Sequence, residues 1–165
     1  MNLYAKSAAF AVVLANDFWY MHLYAKDADF DKSHSLSHNY YSMLYTDADI
    51  LMELAIQEGY DVVNPNEVLS VFPDFTPEHQ TAYSYFELVK LAEVNLRRYI
   101  ECLRDLRATV TKTDVQSKLD GIIEYWNKEV NYRLARRSDT PVILNGFVNS
   151  GLDNALAYRI GGMGR

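Results

Sequence analysis

The stretch Lys32–Glu58, KSHSLSHNYYSMLYTDADILMELAIQE, decides the fold. It contains no Gly or Pro, and Gly59 follows at once, a residue suited to closing a helix. A helix over this span rises ~1.5 Å and turns ~100° per residue. His34 and His38 then lie one turn apart on one face, and Asp49 and Glu53 lie one turn apart on nearly the same face. Imidazoles and carboxylates both ligate transition metals. Yet the two pairs stand roughly 20 Å apart along the axis, too far to hold one small ion. A second, antiparallel copy crossing between Met43 and Leu44 resolves this. His34 then faces Glu53 of the partner subunit, and His38 faces Asp49 of the partner subunit. The two-fold axis generates two identical sites. His22, on the preceding helix, is the fifth candidate ligand.

Around this helix the chain reads as an all-α bundle of four long helices. The first spans about Asn2 to Lys26, without Gly or Pro. It is apolar on more than one face, through Phe10, Val13, Leu14, Phe18, Trp19 and Met21, so it is expected to touch neighbours on two sides. Three prolines lie between Tyr60 and Pro77, with a short helical piece predicted at roughly Pro65 to Val71. A connection of that length can cross the end of a bundle between the second and third helices. The third helix is predicted to open at Thr76-Pro77-Glu78. Its stripe is Ala82, Tyr85, Val89, Ala92, Leu96, Tyr99, Leu103 and Leu106, spaced three or four apart. The fourth opens near Thr113, carries Val115, Leu119, Ile122, Trp126 and Val130, and ends before Asp139-Thr140-Pro141. The expected domain plan is a bundle over 1–137 and a C-terminal extension over 138–165. The extension has an apolar part at Pro141–Leu144 and a mobile Gly-rich end.

Composition bounds the function. The chain has 165 residues, 49% of them apolar or aromatic, enough for a real core. A net charge of −6 argues against a surface that clings throughout to nucleic acid. The lone Cys102 excludes an internal disulfide and fits a reducing, cytoplasmic compartment. It falls on an apolar stripe, as a buried structural thiol would. The run Ala8–Ala15 is too short to span a bilayer, and no secretory signal is expected. None of the four histidines follows a Glu by three positions, which disfavours an intrasubunit di-iron centre built on Glu-x-x-His.

The spacing resembles the Dps family, the miniferritins of the ferritin-like superfamily. Members carry a His late in the first helix, then His, Asp, Asp and Glu at fixed offsets. Here His22 is followed by His34, His38, Asp49 and Glu53 at offsets of 12, 16, 27 and 31. Four of the five residue types match, and His38 stands where the family has Asp. His22, Lys26 and Phe30 also look like the family context, and Trp126 resembles its fourth-helix pattern. The likeness runs from Asn2 to Arg137. It implies a hollow homododecamer with iron oxidation sites at two-fold interfaces, where peroxide or oxygen oxidises Fe(II) for storage. The implied catalytic and metal ligands are His22, His34, His38, Asp49 and Glu53, with iron bound and zinc an alternative occupant.

The departures give a second reading. His38 removes one negative charge from each site, and Lys32–Thr46 contains no Asp or Glu to nucleate mineral in a cavity. A ferritin-like shell or assembly protein without redox turnover is therefore the alternative. DNA binding is expected to be weak, because the body is acidic and neither terminus is rich in Lys or Arg. Arg133, Arg136 and Arg137 read as a solvated cap on a helix C-terminus. Tyr20, Tyr24, Tyr40, Tyr41 and Tyr45 gather near the predicted site and read as packing residues. Asp47 lies off the metal-facing stripe and reads as part of a solvated face; Glu101, Asp105, Asp114 and Asp120 read as a solvated surface or, as the resemblance implies, the lining of a cation entry pore at a three-fold axis; and His79 reads as an ordinary surface residue.

Overall fold

A computed structural model describes residues 2–26, 28–61, 64, 67 and 83–138. Apart from Glu67, the predicted helical piece at 65–71 lies outside the described residues, as do the opening at Thr76-Pro77-Glu78, His79, Ala82 and the 139–165 extension. Within them the chain is a four-helix bundle of α1 (Leu3–Leu23), α2 (Phe30–Gln57), α3 (Tyr85–Thr109) and α4 (Thr113–Lys128). The last helix continues through a π-helical segment, Glu129–Leu134, into a final turn, Ala135–Ser138.

Each end has a local cause. Asn2 caps α1, its Oδ1 accepting from the Ala5 N–H at 2.7 Å. Gly59 (φ 80°) closes α2 in a Schellman motif, with Gly59 N–H donating to the Ile56 carbonyl and Tyr60 N–H to that of Ala55, both at 2.9 Å. Ser84 and Glu87 form a reciprocal capping box on α3. The stripe of the third helix therefore begins at Tyr85. Ala5, Ala8, Ala9, Ala11 and Ala15 are buried along α1, and such small residues let α2, its most extensive neighbour, approach closely.

The chain direction follows from contacts at the two ends. At one end Ala25 forms a parallel bridge with Tyr83, which sets the start of α3 beside the end of α1. At the other, Lys112 Nζ pairs with Glu58 at 2.8 Å, which sets the start of α4 beside the end of α2. α2 and α3 therefore run parallel, and the end of α2 lies at the opposite end of the bundle from the start of α3.

The core centres on Phe18, Tyr40, Leu44, Leu51, Leu96, Tyr99, Leu103 and Trp126. Asp47 is not on a solvated face: it is buried in this core. Its Oδ2 accepts from the indole of Trp126 at 2.5 Å and the phenol of Tyr99 at 3.3 Å. Burial raises its pKa to about 6, against the two hydrogen bonds that lower it. The π-helical segment has a packing reason. Ile122, Trp126, Val130 and Leu134 are spaced by four, and each such step overshoots an α-helical turn by ~40°. The wider π turn cancels that drift, and all four remain buried.

Candidate metal centre

Three of the five predicted ligands meet in one protomer. His22 sits in the last turn of α1, and His34 and His38 lie one turn apart near the start of α2. The connection between the helices folds them side by side. The rings of His22 and His34 lie 3.6 Å apart between centroids, and those of His22 and His38 5.6 Å apart. Phe30 lies 5.1 Å from His34 and Tyr41 5.5 Å from His22.

Hydrogen bonds orient two of the rings. His22 Nδ1 is 3.0 Å from the His34 carbonyl. A carbonyl only accepts, so Nδ1 carries the proton and Nε2 keeps its lone pair. His38 Nδ1 bonds the Tyr41 hydroxyl at 2.7 Å, a contact that does not use Nε2. Tyr41 is a site residue that the sequence assigned to packing, although its place three residues after His38 is the signal that could have found it. Desolvation lowers the pKa of His34, and the neighbouring His22 and His38 lower it further. Its imidazole is therefore neutral at neutral pH, the form that ligates a metal.

Asp49 and Glu53 are exposed on the same helix. From His38 to Asp49 the rise is ~16 Å, so one protomer does not bring the carboxylates to the imidazoles. Among the described residues, no three His, Cys, Asp or Glu side chains are arranged to hold a metal ion within this chain. The two helices that carry the histidines also expose Trp19 (49%), Leu23 (55%), Phe30, Tyr45 and Ile56 (57%). Tyr45 donates to Asn16 Oδ1 at 2.7 Å, tying α2 to α1 on that side.

The other sequence readings have definite places. Tyr40 is a core residue, and Tyr20 stacks on Tyr24 with centroids 4.4 Å apart. Cys102 Sγ lies 3.4 Å from Ser7 Oγ, and burial pushes its thiol pKa up, as for an unreactive structural cysteine. Glu101 and Asp120 pair with Arg104 and Arg107. No helix among the described residues is long and apolar enough to cross a membrane.

No protein-family model matches the chain, and no curated protein matches it in sequence. Among solved structures, the crystal structure of Helicobacter cinaedi CAIP is similar, with a TM-score of 0.76 and 17% identity. The likeness covers 82% of this chain and 96% of that one. It supports the bundle architecture.

Proposed function

We propose that this chain is a Dps-like miniferritin, a ferroxidase that oxidises Fe(II) at two-fold subunit interfaces and stores the product in a hollow oligomer. The observation that carries the reading is the meeting of His22, His34 and His38 from two helices. Two of these rings are held by hydrogen bonds at Nδ1. They lie on two helices that also expose apolar side chains, the kind of surface that associates.

In this reading two α2 helices cross antiparallel. His34 and His38 of one protomer meet Glu53 and Asp49 of the partner subunit, and His22 completes the set. The imidazoles hold Fe(II), and the carboxylates favour Fe(III) by charge. Iron is the substrate, with peroxide or oxygen as oxidant, and zinc competes for the same ligands. The assembly is a homo-oligomer, a dodecamer by the family resemblance. The reducing cytoplasm suits its single thiol. Affinity for DNA is low because the body is acidic.

Titrating Fe(II) under air, for the native chain and for the His34→Ala, Glu53→Ala double variant, tests this. The native protein is expected to oxidise iron with saturable kinetics and the variant to lose that rate. Equal rates would reject the enzyme.

The acid-free stretch Lys32–Thr46 and His38 support a second reading, a ferritin-like shell without redox turnover. It predicts a purified oligomer that carries neither iron nor zinc and whose Tm does not rise when either is added.

A further inference from the structure

An imidazole ligand needs more holding than a carboxylate. A carboxylate presents two equivalent oxygens whichever way it turns. A neutral imidazole presents one lone pair, and its tautomer and the turn of its ring decide where that lone pair points. His38 is exposed on α2, away from the packed core that would fix its ring.

Tyr41 supplies that hold, and it touches both helices of the site. Its hydroxyl lies 2.7 Å from His38 Nδ1. Its ring packs edge-on against His38, with centroids 4.9 Å apart and planes at 78°, and against His22 on α1, at 5.5 Å and 76°. Tyr41 is held in turn. Its ring meets that of Tyr45 at 6.5 Å, and the Tyr45 hydroxyl donates across to Asn16 Oδ1 on α1 at 2.7 Å. Asn16, Tyr45, Tyr41 and His22 thus close a circuit between the two helices, and His38 hangs from it. Packing alone would use the ring of Tyr41 and not its hydroxyl. In both His22 and His38 the engaged nitrogen is Nδ1.

We propose that Tyr41 is the positioning residue of the metal centre, fixing the ring of His38 so that Nε2 serves as a ligand and holding His22 beside it. This rests on the metal-binding reading above and adds that His38 is a working ligand. In the ligating form His38 Nδ1 carries the proton and donates it to the Tyr41 oxygen. A hydroxyl both donates and accepts, so Tyr41 suits the ring with or without a metal.

Calorimetric titration of the full chain, in its native assembly, with Zn(II) as a redox-silent probe tests this. Tyr41→Phe keeps the ring and removes the hydroxyl. It should weaken Zn(II) binding roughly tenfold, as the loss of a hydrogen bond to a ligating imidazole does. The Tm and sedimentation mass of the metal-free chain should not change. Tyr41→Ala also takes the ring away from His22 and should weaken binding further. In a His38→Ala chain, which keeps the other ligands, Tyr41→Phe should cause no additional loss, because its effect runs through that imidazole. Equal affinity in the native and Tyr41→Phe chains, or the same loss with and without His38, would overturn the role of Tyr41 and leave the metal centre standing. A native chain that binds neither Zn(II) nor, without oxygen, Fe(II) would overturn both.

Discussion

The two helix pairs of this bundle bury similar cores but dress their outer faces differently. α3 and α4 carry opposite charges one turn apart: Arg97 with Glu93 at 2.8 Å, Arg104 with Glu101 at 2.5 Å and Lys128 with Glu124 at 2.7 Å. Arg107 and Asp120 pair between the two helices at 2.9 Å. Such surfaces are at ease in water. α1 and α2 instead expose Trp19, Leu23, Phe30, Tyr45 and Ile56, against Val94 on α3 and Tyr132 in the π-helical segment. Apolar side chains exposed in such number mark a surface that associates. The contrast favours a subunit contact on α1 and α2 and leaves α3 and α4 facing solvent or cavity.

The largest expected effect follows directly. Leu23→Glu with Ile56→Lys should drop the sedimentation mass of the proposed oligomer to that of smaller species, while helical content is retained. Both side chains are more than half exposed, so the protomer's own stability should change by less than about 0.5 kcal/mol. Val94→Lys, at an apolar site on α3 that is 47% exposed, should leave the mass unchanged. The same mass loss from Val94→Lys would place the contact elsewhere.

Within the core, Asp47 joins the two pairs, because it sits on α2 and takes hydrogen bonds from α3 and α4. Asp47→Ala should cost about 2–4 kcal/mol in urea unfolding, since it leaves the Trp126 indole and Tyr99 phenol buried without their acceptor. A loss under about 1 kcal/mol would mean that water reaches both donors. Asp17 has a different signature. It is buried on α1, and desolvation raises its pKa to about 7 from an ordinary 3.8. A raised carboxyl pKa means that the folded state binds the extra proton. Its stabilising contribution is complete below pH 3.8 and is lost as pH rises through 7. Asp17→Asn should therefore flatten the fall in stability between pH 4 and 8 and gain on the order of 2 kcal/mol at pH 8. An unchanged pH slope would show that Asp17 does not titrate there.

The helices were legible because apolar side chains recur at three and four along them, and the crossover because its prolines leave too long a gap for a hairpin. The placing of His34 and His38 one turn apart on α2 follows from their spacing, whereas the approach of His22 to both within one protomer is seen only in the fold. The burial of Asp47 was not legible: one polar residue beside Asp49 carries no sign that Trp126 and Tyr99, 79 and 52 positions away, point their donors at it. The π-helical segment was not read from the sequence either, although the four-residue spacing from Ile122 to Leu134, which a regular helix cannot keep on one side, is its signal.

The smallest effect belongs to the wet pair of helices. Arg104 and Glu101 are both about half exposed and three residues apart on α3. Holding two long side chains in one geometry costs entropy that nearly offsets their attraction in water. A double-mutant cycle with Arg104→Ala and Glu101→Ala should return a coupling of about 0.5 kcal/mol at low salt. It should approach zero at ~1 M salt, where the Debye length is about 3 Å. The variants should also leave the sedimentation mass alone, because the pair lies on the face assigned to solvent or cavity. A coupling well above 1 kcal/mol that survives salt would mean this ion pair is shielded by another chain. The outer surface of α3 would then be an interface in its own right, and the contrast between the two helix pairs would no longer locate the contact.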